Sequence, residues 1–264
     1  GSDFVITPEK AREIGLGEVD ELERYIKPYR SGKDLAQESR DLMVIDLFGL
    51  DSEEVRQKFP AVYQYVRQNI KPQRDQNRRE VRRENWWLFA ETNPAMRDAL
   101  NDLTRYIATP RTAKHRYFTF LESETLPQSS IVAIALQDAL HLGVLSSRAH
   151  IVWSLAAGGR MGVGNDPRYF NTQCFDPFPF PAATESQKAT IRDLWAQLDA
   201  HRKERLDAHD DLTMTALYNV LKKERRGKDL DADERTIHEQ GLVGVLTELH
   251  DELDAAVAEA YGSD

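Results

Sequence analysis

The sequence predicts an α+β chain: a mixed α/β domain over residues 3–181, then a small helical bundle over residues 182–264. Three observations predict it. Before Pro181, short β-branched and aromatic runs such as Tyr117–Phe120 alternate with helix-start signals. Residues 175–181 read F-D-P-F-P-F-P, and three prolines forbid a regular helix and favour an extended path. From Thr184 onward the apolar spacing is that of helices alone. The composition agrees with a folded chain, with 41% of its 264 residues hydrophobic and 30% charged. No apolar run approaches the roughly 18 residues of a membrane-spanning helix, and Gly1–Lys10 lacks the charged-then-apolar pattern of a secretory leader. A single cysteine, Cys174, excludes an internal disulfide and a cysteine-based zinc site, and suits a reducing cytoplasm.

Taken in order, Phe4–Ile6 is a short strand and Pro8 begins a helix. Tyr25–Leu35, with Pro28 and Gly32, reads as a structured loop. Leu42–Phe48 is a buried strand closed by Gly49, and Asp51 with Glu54 forms a capping box. A helix starts at Pro60, with Val62, Val66 and Ile70 on its apolar stripe. Residues 73–85 read as helical, which places Arg74, Arg78 and Arg82 on one stripe, with Arg79 and Arg83 beside them. Trp86–Phe89 dock that segment onto a core, and Asn93-Pro94 starts another short helix. Tyr106–Thr109 and Tyr117–Leu121 are strands. Ile131–Leu136 fits either a strand or a helix. Asp138–Leu145 and Ser147–Ala157 are helices, the second capped by Ser147. Arg160–Thr172 reads as a glycine-rich polar loop. In the bundle, Thr184 with Gln187 and Asp231 with Glu234 are capping boxes. Its apolar faces are Ile191, Leu194, Trp195 and Leu198; then Met214, Leu217 and Leu221; then Leu242, Val245, Leu246, Leu249, Leu253 and Val257.

Charge is distributed unevenly. The chain carries 35 Lys/Arg against 44 Asp/Glu, a net of −9, which by itself argues against a polyanionic partner. Residues 67–120, however, carry 12 basic against 6 acidic side chains, and residues 183–264 carry 11 against 19. A basic middle between acidic ends points to an anionic partner at the middle. Catalytic and metal motifs do not emerge: no histidine pair has zinc spacing, and neither a nucleophile elbow nor a phosphate-cradling loop occurs. Asn93-Pro94-Ala95-Met96 lacks the second proline and the aromatic residue of a methyltransferase amine-binding loop. The chain is therefore expected to be non-catalytic and to hold no metal or cofactor.

The positive signals concern nucleic acid. Seven basic residues between Arg67 and Arg83 face only Asp75 and Glu80, more than i,i+4 pairing can neutralise. Arg105, Arg111, Lys114 and Arg116 form a second basic group without an acid. Phosphate contacts are expected from Arg74, Arg78, Arg79, Arg82, Arg83, Arg111, Lys114 and Arg116. The R-M-G-V-G-N-D-P-R-Y segment offers Arg160, Asn165, Asp166, Arg168 and Tyr169. Arginine can read guanine, asparagine adenine, and aspartate can accept from cytosine. Base reading requires these side chains on the face that carries the phosphate-gripping ones.

Six segments occur in order: Y-I-K-P-Y-R-S-G-K-D-L, K-P-Q-R-D-Q-N-R-R, W-W-L-F-A-E, R-Y-I-A-T-P-R-T-A-K-H-R, H-L-G-V-L-S-S-R-A-H-I-V-W and C-F-D-P-F-P-F-P. Together, over residues 3–261, they resemble the C-terminal half of MmeI-like type II restriction–modification enzymes and related DNA methyltransferases. The resemblance implies a target-recognition domain followed by a helical C-terminal domain, double-stranded DNA as partner, and the methyltransferase domain of the same parent chain as a neighbour. It also implies base reading just before the F-P-F-P stretch, which here is Arg160–Tyr169. The parent would methylate an adenine amine with S-adenosylmethionine, and many such parents carry a nuclease. The G-V-G-N-D-P stretch lies where relatives vary, so the recognised sequence does not transfer. Two other readings stand beside this one: an interaction or scaffold module docking through its acidic bundle, and, more distantly, a hydrolase using His115 or His150.

Overall fold

The computed structural model describes residues 2–37, 39–89, 92–161 and 166–262. The chain forms two compact units: Gly1–Arg30, Arg40–Asp102 and Glu122–Leu126 in the first, Ser31–Ser39, Leu103–Leu121 and Pro127–Asp264 in the second. In chain order the first unit holds β1 (Val5–Ile6), α1 (Pro8–Glu13) and β2 (Ile26–Arg30); α2 (Gly32–Ala36) already belongs to the second. The first resumes with β3 (Met43–Ile45), α3 (Ser52–Lys58), α4 (Pro60–Asn69), α5 (Lys71–Asp75), α6 (Glu80–Glu84) and α7 (Pro94–Leu100). There follow β4 (Arg105–Pro110), β5 (Thr119–Glu122), β6 (Leu126–Pro127), β7 (Ile131–Ile134), α8 (Ala139–Ser146), α9 (Arg148–Ala157), β8 (Gly159–Met161) and β9 (Asp166–Arg168). The bundle is α10 (Glu185–Ala208), α11 (Met214–Glu224), α12 (Ala232–Gly241) and α13 (Val243–Ala260). The α+β class stands as expected from the sequence.

In the first unit β3 runs antiparallel between β1 and β2, with Val5 opposite Val44 and Ile26 opposite Ile45. This ladder corrects the loop expected at Tyr25–Leu35. Pro28 has no N–H to give, but Tyr29 supplies one to the Leu42 carbonyl at 2.8 Å. Ser31 and Asp34 then form a capping box that starts α2. Thr7 caps α1, with Pro8 at its first position, and Asp51 with Glu54 caps α3. Val62, Val66 and Ile70 are buried among Phe4, Leu22, Ile26, Val44 and Val55, as their spacing requires. Trp86–Phe89 pack on that core, and Trp87 Nε1 donates to the Leu50 carbonyl at 2.9 Å.

Among the described residues, one carboxylate lies buried inside this unit. Asp46 is 2% exposed and accepts from Arg97 Nη1 and Nη2 at 2.6 and 2.9 Å, with Lys27 Nζ at 3.6 Å. The fork-to-carboxylate geometry satisfies both oxygens away from water.

In the second unit β4 lies between β5 and β7, with Ile107 opposite Ile134 and Thr109 opposite Val132. Ile131–Ile134 is thus a strand. Ile107, Phe118, Val132 and Ile134 bury against Leu142 and Leu145 of α8 and Trp195 of α10. That packing corrects the expectation of one mixed unit over residues 3–181: this sheet has its core in common with the bundle, so the compact units do not divide at Pro181. Gly143 makes the close approach possible, because a Cβ there would lie 2.6 Å from Ile191 Cγ2. Thr184 with Gln187 and Asp231 with Glu234 cap α10 and α12 as expected, and no strand follows Thr184 among the described residues. Leu246, Leu249, Leu253 and Val257 face inward, whereas Leu242 and Val245 are exposed. Leu242 takes a left-handed conformation (φ 44°) between α12 and α13, and α13 starts its own face beyond it. Among the described residues, no helix is long and apolar enough to cross a membrane.

The buried pair yields a stability test. Arg97→Ala leaves Asp46 with only Lys27 and should cost roughly 3–5 kcal/mol, whereas Arg56→Ala, which removes an exposed partner of Glu53, should cost at most about 1 kcal/mol. Urea unfolding followed by Trp86 and Trp87 fluorescence compares the two; equal midpoints would contradict the assignment.

Candidate nucleic-acid interface

The basic segment of the first unit is not one helix. The chain leaves α4 at Asn69, makes the single turn α5, breaks over Gln76–Arg79 and resumes as α6. The stripe expected from four-residue spacing therefore does not form. Arg74 turns inward: it is 6% exposed, donates to the Leu88 carbonyl at 3.1 Å and lies over the Phe4 ring at 5.1 Å. Burial lowers its pKa. Arg74 is a core brace, and its expected phosphate contact is corrected. Arg83 is half-buried and donates to the Asn77 carbonyl at 2.7 Å, closing the break. Arg82 is also half-buried. Arg78 and Arg79 are exposed, and neither side chain forms an ion pair among the described residues. They are the part of the set that faces solvent outright.

In the second unit, two segments named from the sequence meet. The Arg160–Thr172 stretch is not a loop throughout. β8 pairs antiparallel with β9, with Gly159 opposite Arg168, Arg160 opposite Pro167 and Met161 opposite Asp166. This hairpin is laced to the turn after β4. Tyr169 N–H donates to the Arg111 carbonyl at 2.8 Å, Ala113 N–H donates to the Pro167 carbonyl at 3.2 Å, and Thr112 bridges Arg168. Gly158 enters the hairpin where a Cβ would lie 2.5 Å from the Arg168 carbonyl.

The anchor under this junction is buried. Arg116 is 5% exposed and donates to Thr109 Oγ1 at 3.0 Å, to the Pro110 carbonyl and to the Pro167 carbonyl at 3.2 Å. It also lies over the Tyr169 ring at 5.2 Å. Burial pulls its pKa down to about 10, so it stays charged at neutral pH. Tyr169 is 1% exposed and shares a 2.9 Å hydrogen bond with His150 Nε2. Arg116 and Tyr169, expected at phosphates and bases, are thus corrected to internal supports. His150 is fully buried, and burial first, then the Arg116 charge, pull its pKa down to about 3. It is a neutral core histidine packed against Phe178 and Phe118, with no exposed surface. His115 is held by Asn219 Oδ1 at 2.8 Å, and its pKa is also lowered, first by burial.

The remaining side chains divide by strand alternation. Asp166, Arg168 and Met161 share one face of the hairpin, and Arg160 with Pro167 lies on the other. Arg168 is half-buried, with Nη1 against Met161 Sδ at 3.4 Å, the guanidinium 4.8 Å from the Phe170 ring and Nε without a partner among the described residues. Asp166 is half-buried and Arg160 exposed. Asn165, with Gly162 and Gly164, lies outside the described residues. Arg111 is half-buried, its Nε donating to the Ser129 carbonyl at 2.8 Å, while Lys114 is exposed and free of ion pairs among the described residues. Among the described residues there is no cluster of histidine, cysteine or carboxylate side chains able to hold a metal.

A rigid sheet presenting charged side chains on a braced hairpin is the construction of a binding module. Residues 1–182 match the family model of the MmeI target recognition domain, and the chain belongs to that family. A solved structure of the Type IIL restriction-modification enzyme MmeI, determined in complex with DNA, is similar over 99% of this chain, with a TM-score of 0.67 and 18% sequence identity. The chain spans 31% of the length of that enzyme's chain. No curated protein matches it.

Sequence reading passed over one basic group. Lys222, Lys223, Arg225, Arg226 and Lys228 run together at the end of α11. Averaging charge over the acidic bundle concealed them; a seven-residue window would have found them.

The buried histidine gives a pH test. A base whose folded pKa is depressed binds its proton more readily when unfolded, so stability is full above the unfolded value near 6.5 and falls with acid towards about 3. His150→Gln should flatten that slope by up to about 1.4 kcal/mol per pH unit over this window. Urea midpoints from pH 7 to pH 4 measure it; an unchanged slope would mean that His150 titrates normally.

Proposed function

We propose that this chain is the sequence-reading part of a DNA restriction–modification enzyme. Membership of the target recognition domain family supports this reading, and one observation carries it: the β8–β9 hairpin is fixed to the β4 turn by backbone hydrogen bonds while Asp166 and Arg168 share one of its faces. Arginine and aspartate are the side chains that discriminate guanine and cytosine in a major groove, and a braced hairpin holds them still enough to do so. Arg160, on the opposite face, is assigned to the backbone or to a neighbouring base. Phosphate contacts are assigned to Arg78, Arg79, Arg111 and Lys114, with Arg82 and Arg83 as secondary members, because phosphate contacts position a duplex without reading it.

The catalytic chemistry is assigned to the parent protein. There a methyltransferase domain would use S-adenosylmethionine to methylate an adenine amine, and this chain would select the site. A cytoplasmic setting suits the single, buried Cys174.

Arg168→Ala and Asp166→Asn in the parent enzyme should change which sequence is methylated, each lost bidentate contact removing about 1–3 kcal/mol of discrimination. Binding to unrelated duplexes should stay within about twofold, since phosphate contacts are intact. Methylation-site sequencing decides the matter: an unchanged target at unchanged efficiency would remove both residues from base reading.

A further inference from the structure

A cavity of about 410 Å³ opens in the second unit between the turn after β4, helix α9 and the ends of α11 and α13. Its rim is cationic, with Lys114, Arg148, Lys222, Arg225 and Arg226. Of these, Arg225 is paired with Asp251, whereas the side chains of Lys114, Arg148, Lys222 and Arg226 form no ion pair among the described residues. The one carboxylate in the lining, Asp254, already accepts from the Arg148 backbone N–H at 2.6 Å.

The interior adds to this field. Arg116 lines the cavity and is buried without a carboxylate partner among the described residues. Behind the wall Arg202, 4% exposed, donates to the Tyr218 hydroxyl, and that hydroxyl meets His250 Nε2 at 2.7 Å. No acid neutralises this second guanidinium among the described residues. Charges held in low dielectric project further than solvated ones. The Ser146 hydroxyl in the lining is 3% exposed as a residue and has no hydrogen-bond partner among the described residues. One wall is apolar, formed by Ile151, Val152, Leu155 and Leu221, and Val152 is 57% exposed.

A cationic rim, an unused hydroxyl and an apolar wall suit one phosphate joined to a hydrocarbon-rich sugar. Nothing in the lining suits a base: the aromatic rings there, His115, Tyr218 and His250, are already engaged by Asn219 or by one another. Position also favours a polymer. Lys114 follows directly on Ala113, whose N–H holds the β8–β9 hairpin, so the cavity borders the hairpin assigned to base reading. His115 docks this turn on Asn219, one helical turn before Lys222.

We propose that this cavity grips one backbone nucleotide of duplex DNA beside the bases that are read, with the phosphate on Lys114, Lys222 and Arg226 and the deoxyribose against Ile151, Val152 and Leu155. The inference rests on the DNA-reading role given above and adds to it a phosphate clamp contributed by the helical bundle, whose overall charge is acidic.

The test is salt-dependent binding of the 264-residue chain to two duplexes of different sequence. Lys222→Gln/Arg226→Gln should weaken both by the same factor, about fivefold near 0.15 M salt, and flatten the salt slope by about one unit, as the loss of one phosphate contact requires. Lys203→Gln, which removes a charge paired with Asp199 outside the cavity, should move neither. Unchanged affinity and slope in the double variant, while the unaltered chain binds duplexes, would overturn the clamp and leave the reading role standing. An equal loss in Lys203→Gln would reduce the effect to net charge and overturn it too. Failure of the unaltered chain to bind either duplex would overturn the reading role and the clamp together. Calorimetry with deoxyadenosine monophosphate separates a free nucleotide: micromolar binding lost in the double variant, with duplex binding intact, would make the cavity a small-anion site instead.

Discussion

The burial of Arg116 is the constraint on which the second unit depends. A guanidinium can leave water only if its donors are satisfied and its charge is spread. Here Thr109, Pro110 and Pro167 accept its N–H groups, and the Tyr169 ring lies beneath it. Those acceptors come from the end of β4 and from β9, so one side chain ties the sheet to the hairpin. Tyr169 is in turn fixed by His150, and His150 must stay neutral because it is buried beside that cation. The result is a polar core with one charge, held by carbonyls and rings rather than by a carboxylate.

Such a core has an electrostatic consequence. A carboxylate partner would cancel the field of Arg116, whereas carbonyl acceptors leave it net positive. The same holds for Arg202, whose visible partners are the Tyr218 hydroxyl and His250. Both cations underlie a surface where Lys114, Lys222 and Arg226 are unpaired among the described residues. The unit therefore concentrates positive potential in one place although residues 183–264 carry 11 basic against 19 acidic side chains. Net charge describes solubility and long-range repulsion; local placement decides which anion is held.

The first unit uses buried charge in two ways. Asp46 and Arg97 neutralise each other inside it, whereas Arg74, like Arg116, is held by a carbonyl, that of Leu88, and by an aromatic ring, that of Phe4. Of the arginines expected at phosphates in this unit, Arg78 and Arg79 remain fully outward, in the short break between α5 and α6. A break in helix exposes both, because residues between two helical turns have no apolar face to bury.

Local signals in the sequence determined the α+β class, the capping boxes at Asp51, Thr184 and Asp231, the Val62–Val66–Ile70 stripe and the helical character after Pro181. Each depends on side chains within four residues of one another, which is the reach of local hydrogen bonding and helical periodicity. The strand at Ile26–Arg30 was not legible, because it pairs with distant partners such as Val44, and neither was the β8–β9 pairing, whose bracing comes from the distant turn at Arg111–Ala113. Composition marked the basic residues but could not sort them: Arg74 and Arg116 look the same in sequence as Arg78 and Lys114. Only tertiary packing decided that the first two are buried under aromatic rings while the others meet solvent. The run at Lys222–Lys228 acquired its significance the same way, when the fold set it beside Lys114, 108 residues earlier in the chain.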